Sequence, residues 1–148
     1  MGKLDFSISS SLSVEKLFDY IIDFEYYKNF FPKQINQITI THRSSDEIHT
    51  SEELVFSSII KNTIQQKSIH KLLPNEKIIT EIIEGPAKGT MVNIFFLKNN
   101  SDTEINFNVD LKLSFKAKFL EPLIKKLYKR YLTSLIYKIN NRDARGEI

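Results

Sequence analysis

The chain contains no cysteine and no tryptophan. The first absence excludes disulfide staples, zinc–thiolate centres and thiol nucleophiles, without fixing a compartment. No apolar run approaches the roughly 18 residues of a membrane-spanning helix, and the start lacks the apolar stretch of a signal peptide. Phe6 stands where a myristoylation motif wants Ser or Thr. These absences lead to the expectation of a cytoplasmic protein without an integral membrane segment. There are no internal repeats, no linker and no sign of a second domain, so residues 1–148 read as one domain with a frayed polar tail from about 141.

What is present is ordinary globular material, 41% hydrophobic and 26% charged. The net charge of +3 hides an asymmetry: from Lys112 onward ten Lys/Arg face three acids, so the rest of the chain is acidic. Such a basic end can attract nucleic acid or anionic lipid, or can be a solvated outer helix face.

Leu4, Phe6 and Ile8 alternate with polar residues as a half-buried strand. Ser11 or Ser13 can cap a helix in which Val14, Leu17, Phe18 and Ile21 form one stripe. A second short helix fits Glu25 to Phe30, stopped by Pro32. From Gln34 the period becomes two for about eighty residues. Ile48, Leu54 and Phe56 share parity in one strand. Ile64 and Ile69 have opposite parity in the next, from about Lys61 to Leu72, which predicts a β-bulge near Gln65–Lys67. The last strand alternates from Ile105 to Phe115. The closing helix carries a wide apolar stripe including Leu120, Leu123, Ile124, Leu127, Tyr128, Tyr131, Leu135 and Ile139.

The expected architecture is α+β: a curved antiparallel sheet of about seven strands wrapped around a long C-terminal helix, with two short helices between strands 1 and 2. An apolar gap between arched sheet and helix is the usual form of a small-molecule site.

Asp23-Phe24-Glu25-Tyr26-Tyr27-Lys28-Asn29-Phe30-Phe31-Pro32 resembles the D-x-E-x-Y-x-x-F-x-P signature of coenzyme Q-binding START-like proteins. These belong to the SRPBCC superfamily, with polyketide cyclases and the birch-pollen allergen (Bet v 1-like) helix-grip fold. That branch continues with Trp-Cys, where this chain has Lys33-Gln34. The resemblance implies non-catalytic binding or transport of a lipid, quinone or polyketide-like molecule. The expected cavity lining is Tyr27, Phe30, Val92, Ile94, Phe96, Phe107, Val109, Leu111, Leu127, Tyr131 and Leu135. Tyr27 and Phe30, three apart on a short helix, would point the same way as an apolar lid or as core plugs, the Tyr27 hydroxyl wet or on a ligand.

Two further functions are carried as alternatives. Some relatives in the branch are described as ribosome-association toxins, which would make the basic helix, through Lys125, Lys126, Lys129 and Arg130, a ribosome, RNA or anionic-membrane contact. Polyketide-cyclase relatives set polar groups inside the cavity. Here the candidates Gln66, Ser68 and His70 are expected to face outward into water. Asp46-Glu47 and Glu52-Glu53 are expected to be solvated. His42, His49 and His70 are scattered on separate strands without ligand spacing, so no metal, no cofactor and no catalytic residue is assigned. Gly85 to Thr90 joins strand to strand and is not a phosphate loop. Ile78/Ile79, Ile82/Ile83 and Phe95/Phe96 put apolar residues on both sheet faces, which points to an outer strip for a homodimer or a membrane.

Overall fold

Ser13 caps the first helix, its Oγ accepting from the Lys16 amide at 3.2 Å. In the computed structural model, which describes residues 2–55 and 63–146, this helix is α1 (Val14–Ile21), and it follows β1 (Lys3–Ser10). Leu17, Phe18, Tyr20 and Ile21 are its buried residues. A 3-10 turn over Phe24–Tyr26 runs into the single-turn α2 (Tyr27–Phe30). Phe31 leaves helical backbone immediately before Pro32, at φ −132°.

Six strands follow: β2 (Ile35–Arg43), β3 (Glu47–Val55), β4 (Thr63–Leu73), β5 (Lys77–Glu84), β6 (Met91–Asn99) and β7 (Asp102–Asp110). With β1 they form one antiparallel sheet in the order β1-β7-β6-β5-β4-β3-β2. Asn75 and Asn100 supply the left-handed turn residues of the β4–β5 and β6–β7 hairpins, at φ 64° and 57°. A 3-10 segment, Phe115–Leu120, leads into α3 (Glu121–Ala144). The whole is the helix-grip α+β fold: a curved seven-stranded sheet around a long C-terminal helix, with short helices after the first strand.

Several local expectations are corrected. β4 pairs β3 in unbroken register from Thr63 to Lys71, so it holds no bulge near Gln65–Lys67. Ile69 simply faces outward opposite His49. The extra residues sit on the neighbours: Ile83 of β5 is skipped between Lys67 and Ser68, and Asn36 and Thr41 of β2 are skipped opposite β3. The last strand stops at Asp110, and Phe115, expected on its inward face, is 94% exposed because the chain turns at Ser114 into the 3-10 segment. Phe56 and the Lys61 start of the fourth strand lie outside the described residues.

The tail is the largest correction. Residues 141–144 are helix, and they hold α3 to the α1–α2 corner. Arg142 is buried; its guanidinium bonds Asp23 Oδ2 at 2.9 Å and lies 3.6 Å from the Tyr26 ring centroid and 5.1 Å from that of Tyr20. Asp143 accepts from the Tyr20 hydroxyl at 2.9 Å and from Lys16 Nζ at 3.2 Å, and Ser10 Oγ donates to Asn140 at 2.8 Å. The expectation of fraying rested on polarity alone, and here Asn140, Arg142 and Asp143 have all found partners.

Burial along α3 is therefore one-sided. Its buried residues are Leu132, Leu135, Ile136, Ile139 and Arg142, none of them before the middle of the helix. Ile124, Leu127, Tyr128 and Tyr131 in the first half are only half-buried. From Leu132 onward α3 closes the core with Ile105, Phe107, Val109 and Leu17, while Ile124, Tyr128 and Tyr131 before it are only partly buried against that core.

Replacing Arg142 by alanine removes a desolvated cation from between two rings and takes the guanidinium from Asp23. The expected cost is about 2 kcal/mol, read as a lower urea midpoint. Arg142→Lys should recover less than half of it, since an ammonium cannot stack and fork as a guanidinium does.

Candidate functional site

The space beneath α3 is a cavity of about 640 Å³, within the range of about 300–1,000 Å³ usual for small-molecule sites. Its apolar wall comes from Ile38, Leu54, Ile64, Ile78, Ile82, Val92 and Ile94 on the sheet. Leu120, Ile124, Leu127 and Leu135 face them from the helix side, and Phe24, Tyr27 and Phe31 close one end.

The expected lining residues divide in two. Tyr27, Val92, Ile94, Leu127, Tyr131 and Leu135 line the cavity. Phe30, Phe96, Phe107, Val109 and Leu111 are buried in the core outside it. Phe107 stacks on Phe6 with centroids 4.9 Å apart, and Phe96 meets Phe18 of α1 edge-on at 6.0 Å. The dry half of the grip takes up β7, so the cavity lies over β2–β6 instead. Phe31 rather than Phe30 closes the end, its ring 4.6 Å from that of Tyr131, because the break in helical backbone before Pro32 turns it inward. The Tyr27 hydroxyl is neither wet nor free for a ligand: it donates to the Ile21 carbonyl at 2.6 Å. Lid and plug are thus one structure, fixed to α1.

One patch of the wall is polar, and it contains the groups expected in water. Thr50, Glu52, Ser68 and His70 are all buried, and Gln66 and Thr80 are half-buried beside them. Glu52 Oε1 accepts from Gln66 Nε2 at 2.7 Å and Ser68 Oγ at 3.1 Å, while Oε2 accepts from the Thr50 hydroxyl. The Thr50 Oγ also lies 2.9 Å from His70 Nε2, and His70 Nδ1 is 2.7 Å from the Thr80 hydroxyl. The Phe24 ring covers the imidazole at 4.0 Å between centroids.

These contacts allow two proton orders, set by the state of Glu52. With Glu52 ionised, Thr50 donates to it and accepts from Nε2–H, and Nδ1 accepts from Thr80. With Glu52 protonated, every donor and acceptor along Glu52–Thr50–His70–Thr80 can reverse. Burial pushes His70 down to about 3, with His49 adding to the effect. Burial raises the Glu52 carboxyl above the ordinary carboxylate range, against the lowering by its bonds from Thr50, Gln66 and Ser68. Across the cavity the phenols of Tyr128 and Tyr131 are raised by burial and then by the Glu52 charge. The site is therefore built around a neutral imidazole and a carboxyl whose proton is held more firmly than usual.

Parity alone held the signal for this patch. Ile48 and Leu54 share the inward face of β3, so Thr50 and Glu52 between them must share it too. Likewise, once no bulge interrupts β4, Ile64, Gln66, Ser68, His70 and Leu72 all point inward.

Outside the cavity, His42 and His49 are cross-strand partners with ring centroids 4.8 Å apart, and His49 Nε2 lies 2.5 Å from Glu47. His42, Glu47 and His49 thus place three metal-ligating atoms within 4.8 Å of one another, so two of the three histidines are not scattered. Of the basic quartet, Lys126, Lys129 and Arg130 are exposed and Lys125 is half-buried; Lys129 Nζ lies 5.7 Å over the Phe6 ring, and Arg130 stands at the cavity edge. Among the described residues no helix is long and apolar enough to cross a membrane.

The sign of the His70 effect gives a test. The unfolded imidazole takes a proton near pH 6.5 and the folded one only near 3, so stability is lost as pH falls through that interval, by up to about 1.4 kcal/mol per pH unit. Glu52, raised on folding, works in the opposite direction, so the informative quantity is the difference between wild type and His70→Gln. In urea unfolding from pH 7 to pH 4, the wild type should lose stability relative to the variant. Parallel acid slopes would contradict the assignment of a neutral buried imidazole.

No protein-family model matches the chain, and no curated protein matches it in sequence. Solved structures match it throughout. The protein TTHA0849 of Thermus thermophilus superposes with a TM-score of 0.81 at 13% identity, over 99% of both chains. The ZhuI aromatase/cyclase of Streptomyces sp. R1128 gives 0.77 at 10% identity, over 95% of this chain and 94% of its own. A START superfamily protein of Mycobacterium smegmatis gives 0.73 at 16%, over 95% of each. At such identities the likeness is one of fold: the helix grip, a curved antiparallel sheet around a long C-terminal helix.

Proposed function

We propose that this chain binds a hydrophobic small molecule with one polar end in the cavity under α3, and that binding rather than turnover is its activity. The observation that carries the reading is a cavity of about 640 Å³ whose sheet wall is apolar around one hydrogen-bonded patch, with the Tyr128 and Tyr131 phenols on the helix side and Lys33, Gln34, Arg130, Ser134 and Lys138 also among its lining. Apolar area drives entry, at about 25 cal/mol per Å² removed from water. The patch orients what enters, through Gln66, Ser68 and Glu52. Lipids, quinones and polyketide-like molecules share that form.

A second reading, an aromatase/cyclase-type enzyme, is favoured by one observation. The Glu52–Thr50–His70–Thr80 chain can pass polarity in either direction, which is what enolisation and dehydration of a polyketone ask of a site. Against it, the imidazole is already engaged at both nitrogens and covered by Phe24.

The neutral apolar dye N-phenyl-1-naphthylamine should bind the folded protein saturably with one site. Leu127→Trp, which fills the cavity from a half-buried position, should weaken it by about tenfold without lowering the urea midpoint. No uptake by folded wild type would overturn the binding reading. Glu52→Gln separates the two readings: it keeps the carboxyl's shape and should leave dye affinity within about threefold. Conversion of a poly-β-keto thioester by wild type, lost in that variant with dye binding retained, would select the enzyme.

A further inference from the structure

The 3-10 segment that leads into α3 turns two aromatic rings into water. Phe115 is 94% and Phe119 79% exposed, and Leu123 in the first turn of α3 is 44% exposed. Side chains of this size are seldom left so bare unless something covers them. Lys116, Lys118 and Lys126 are exposed among them. Lys88 is exposed on the β5–β6 loop, which the segment joins through the Ser114 amide on the Pro86 carbonyl at 2.9 Å. Of the nearby acids, Glu84 pairs with Lys67 at 3.2 Å, Asp110 lies 3.8 Å from Lys112, and Glu121 is half-buried, so the patch is cationic as well as apolar. The other side of the same segment, Ala117 and Leu120, lines the cavity, as do Pro86 and Ala87 of the loop.

We propose that this rim docks on an anionic lipid bilayer, with Phe115 and Phe119 in the acyl boundary and the lysines at the headgroups. Aromatic side chains flanked by lysine are what an interfacial contact takes, the apolar part entering and the cations meeting negative lipid. A second copy of the chain on the same patch would set lysines against lysines. RNA would satisfy the charge and could stack on the rings, but would gain nothing from their place at a cavity edge. The inference deepens the cavity reading by naming the bilayer as the source of the ligand; docking itself needs no ligand, so the two can fail separately.

Because the chain has no tryptophan, Phe119→Trp supplies a single fluorescent reporter at an exposed site. With phosphatidylcholine vesicles containing phosphatidylglycerol, its emission should shift to the blue and be quenched by brominated acyl chains; with phosphatidylcholine alone the response should be weak. Wild-type protein should co-sediment with the anionic vesicles. Phe115→Ser/Phe119→Ser should lose that by about tenfold, while its N-phenyl-1-naphthylamine affinity stays unchanged, which shows the cavity intact. Binding without blue shift, or binding insensitive to the two phenylalanines, would overturn insertion. So would a blue shift that appears on self-association without lipid, or co-sedimentation with RNA in place of vesicles. Docking that persists in a protein that takes up no dye would uphold the membrane surface and remove the ligand reading alone.

Discussion

Arg142 lies against the rings of Tyr20 and Tyr26 and bonds Asp23, and the position of α3 follows from that contact. A helix of 24 residues could lie flat on a sheet along its whole length. Here its last turns are tied to the α1–α2 corner by Arg142, Asp143 and Asn140, and its middle is buried by Leu132, Leu135, Ile136 and Ile139. The first half is held more lightly, with Ile124, Tyr128 and Tyr131 only partly buried against the core, and a twisted sheet curves away beneath it. α3 lends the cavity residues from Ile124 to Lys138, so the clamp at Asn140, Arg142 and Asp143 fixes the helix just beyond the cavity and sets how the roof lies over the sheet.

The same contact explains the stretch from Asp23 to Pro32. Asp23 holds Arg142. Glu25 accepts from the Ile40 amide at 2.9 Å, beside the second β2 bulge. Tyr27 ties α2 to α1 through the Ile21 carbonyl. Each of these polar residues secures one element to another, and Lys138 adds a bond to the Phe30 carbonyl at 2.5 Å. The pattern therefore reports how the mouth of the grip is built. Because the polar atoms of Asp23, Glu25 and Tyr27 are engaged between elements, it says little about what the cavity would hold.

The fold was legible because period two and period 3.6 are properties of single segments. Seven strands, the two short helices and the closing helix could be read from alternation and stripes alone. The polar wall was not read, and the reason is specific. Glutamate, histidine and serine on a strand suggest water by type, whereas the parity of Ile48 and Leu54 places residues 50 and 52 inward. Side-chain direction in a strand is set by position, and chemistry then has to follow it. The tail failed differently: residues 140–144 look frayed in isolation, and only the fold brings Asp23, Tyr20 and Ser10 to them. The contact of Phe31 with Tyr131 likewise depends on distant parts of the chain meeting, which no local period encodes.

Glu52 is the costly residue of this arrangement. A leucine at the same place would continue the apolar wall and avoid desolvating a carboxylate. The protein instead surrounds the carboxyl with three donors, and the described residues leave no buried side-chain polar atom unpartnered. That network stabilises an inward carboxyl without needing a ligand, so the cavity can stand open and keep its shape. It also places the polar wall opposite the phenols of Tyr128 and Tyr131, whose ionisation the Glu52 charge opposes. A bound molecule would meet neutral donors on α3 and a readily protonated acceptor on β3, separated by the width of the cavity. Apolar molecules of the right volume fit such a space without preference. One polar end, able to accept from a phenol or donate to a carboxylate, is what would distinguish among them, and it would do so through a hydrogen bond that water can no longer replace once the cavity is filled.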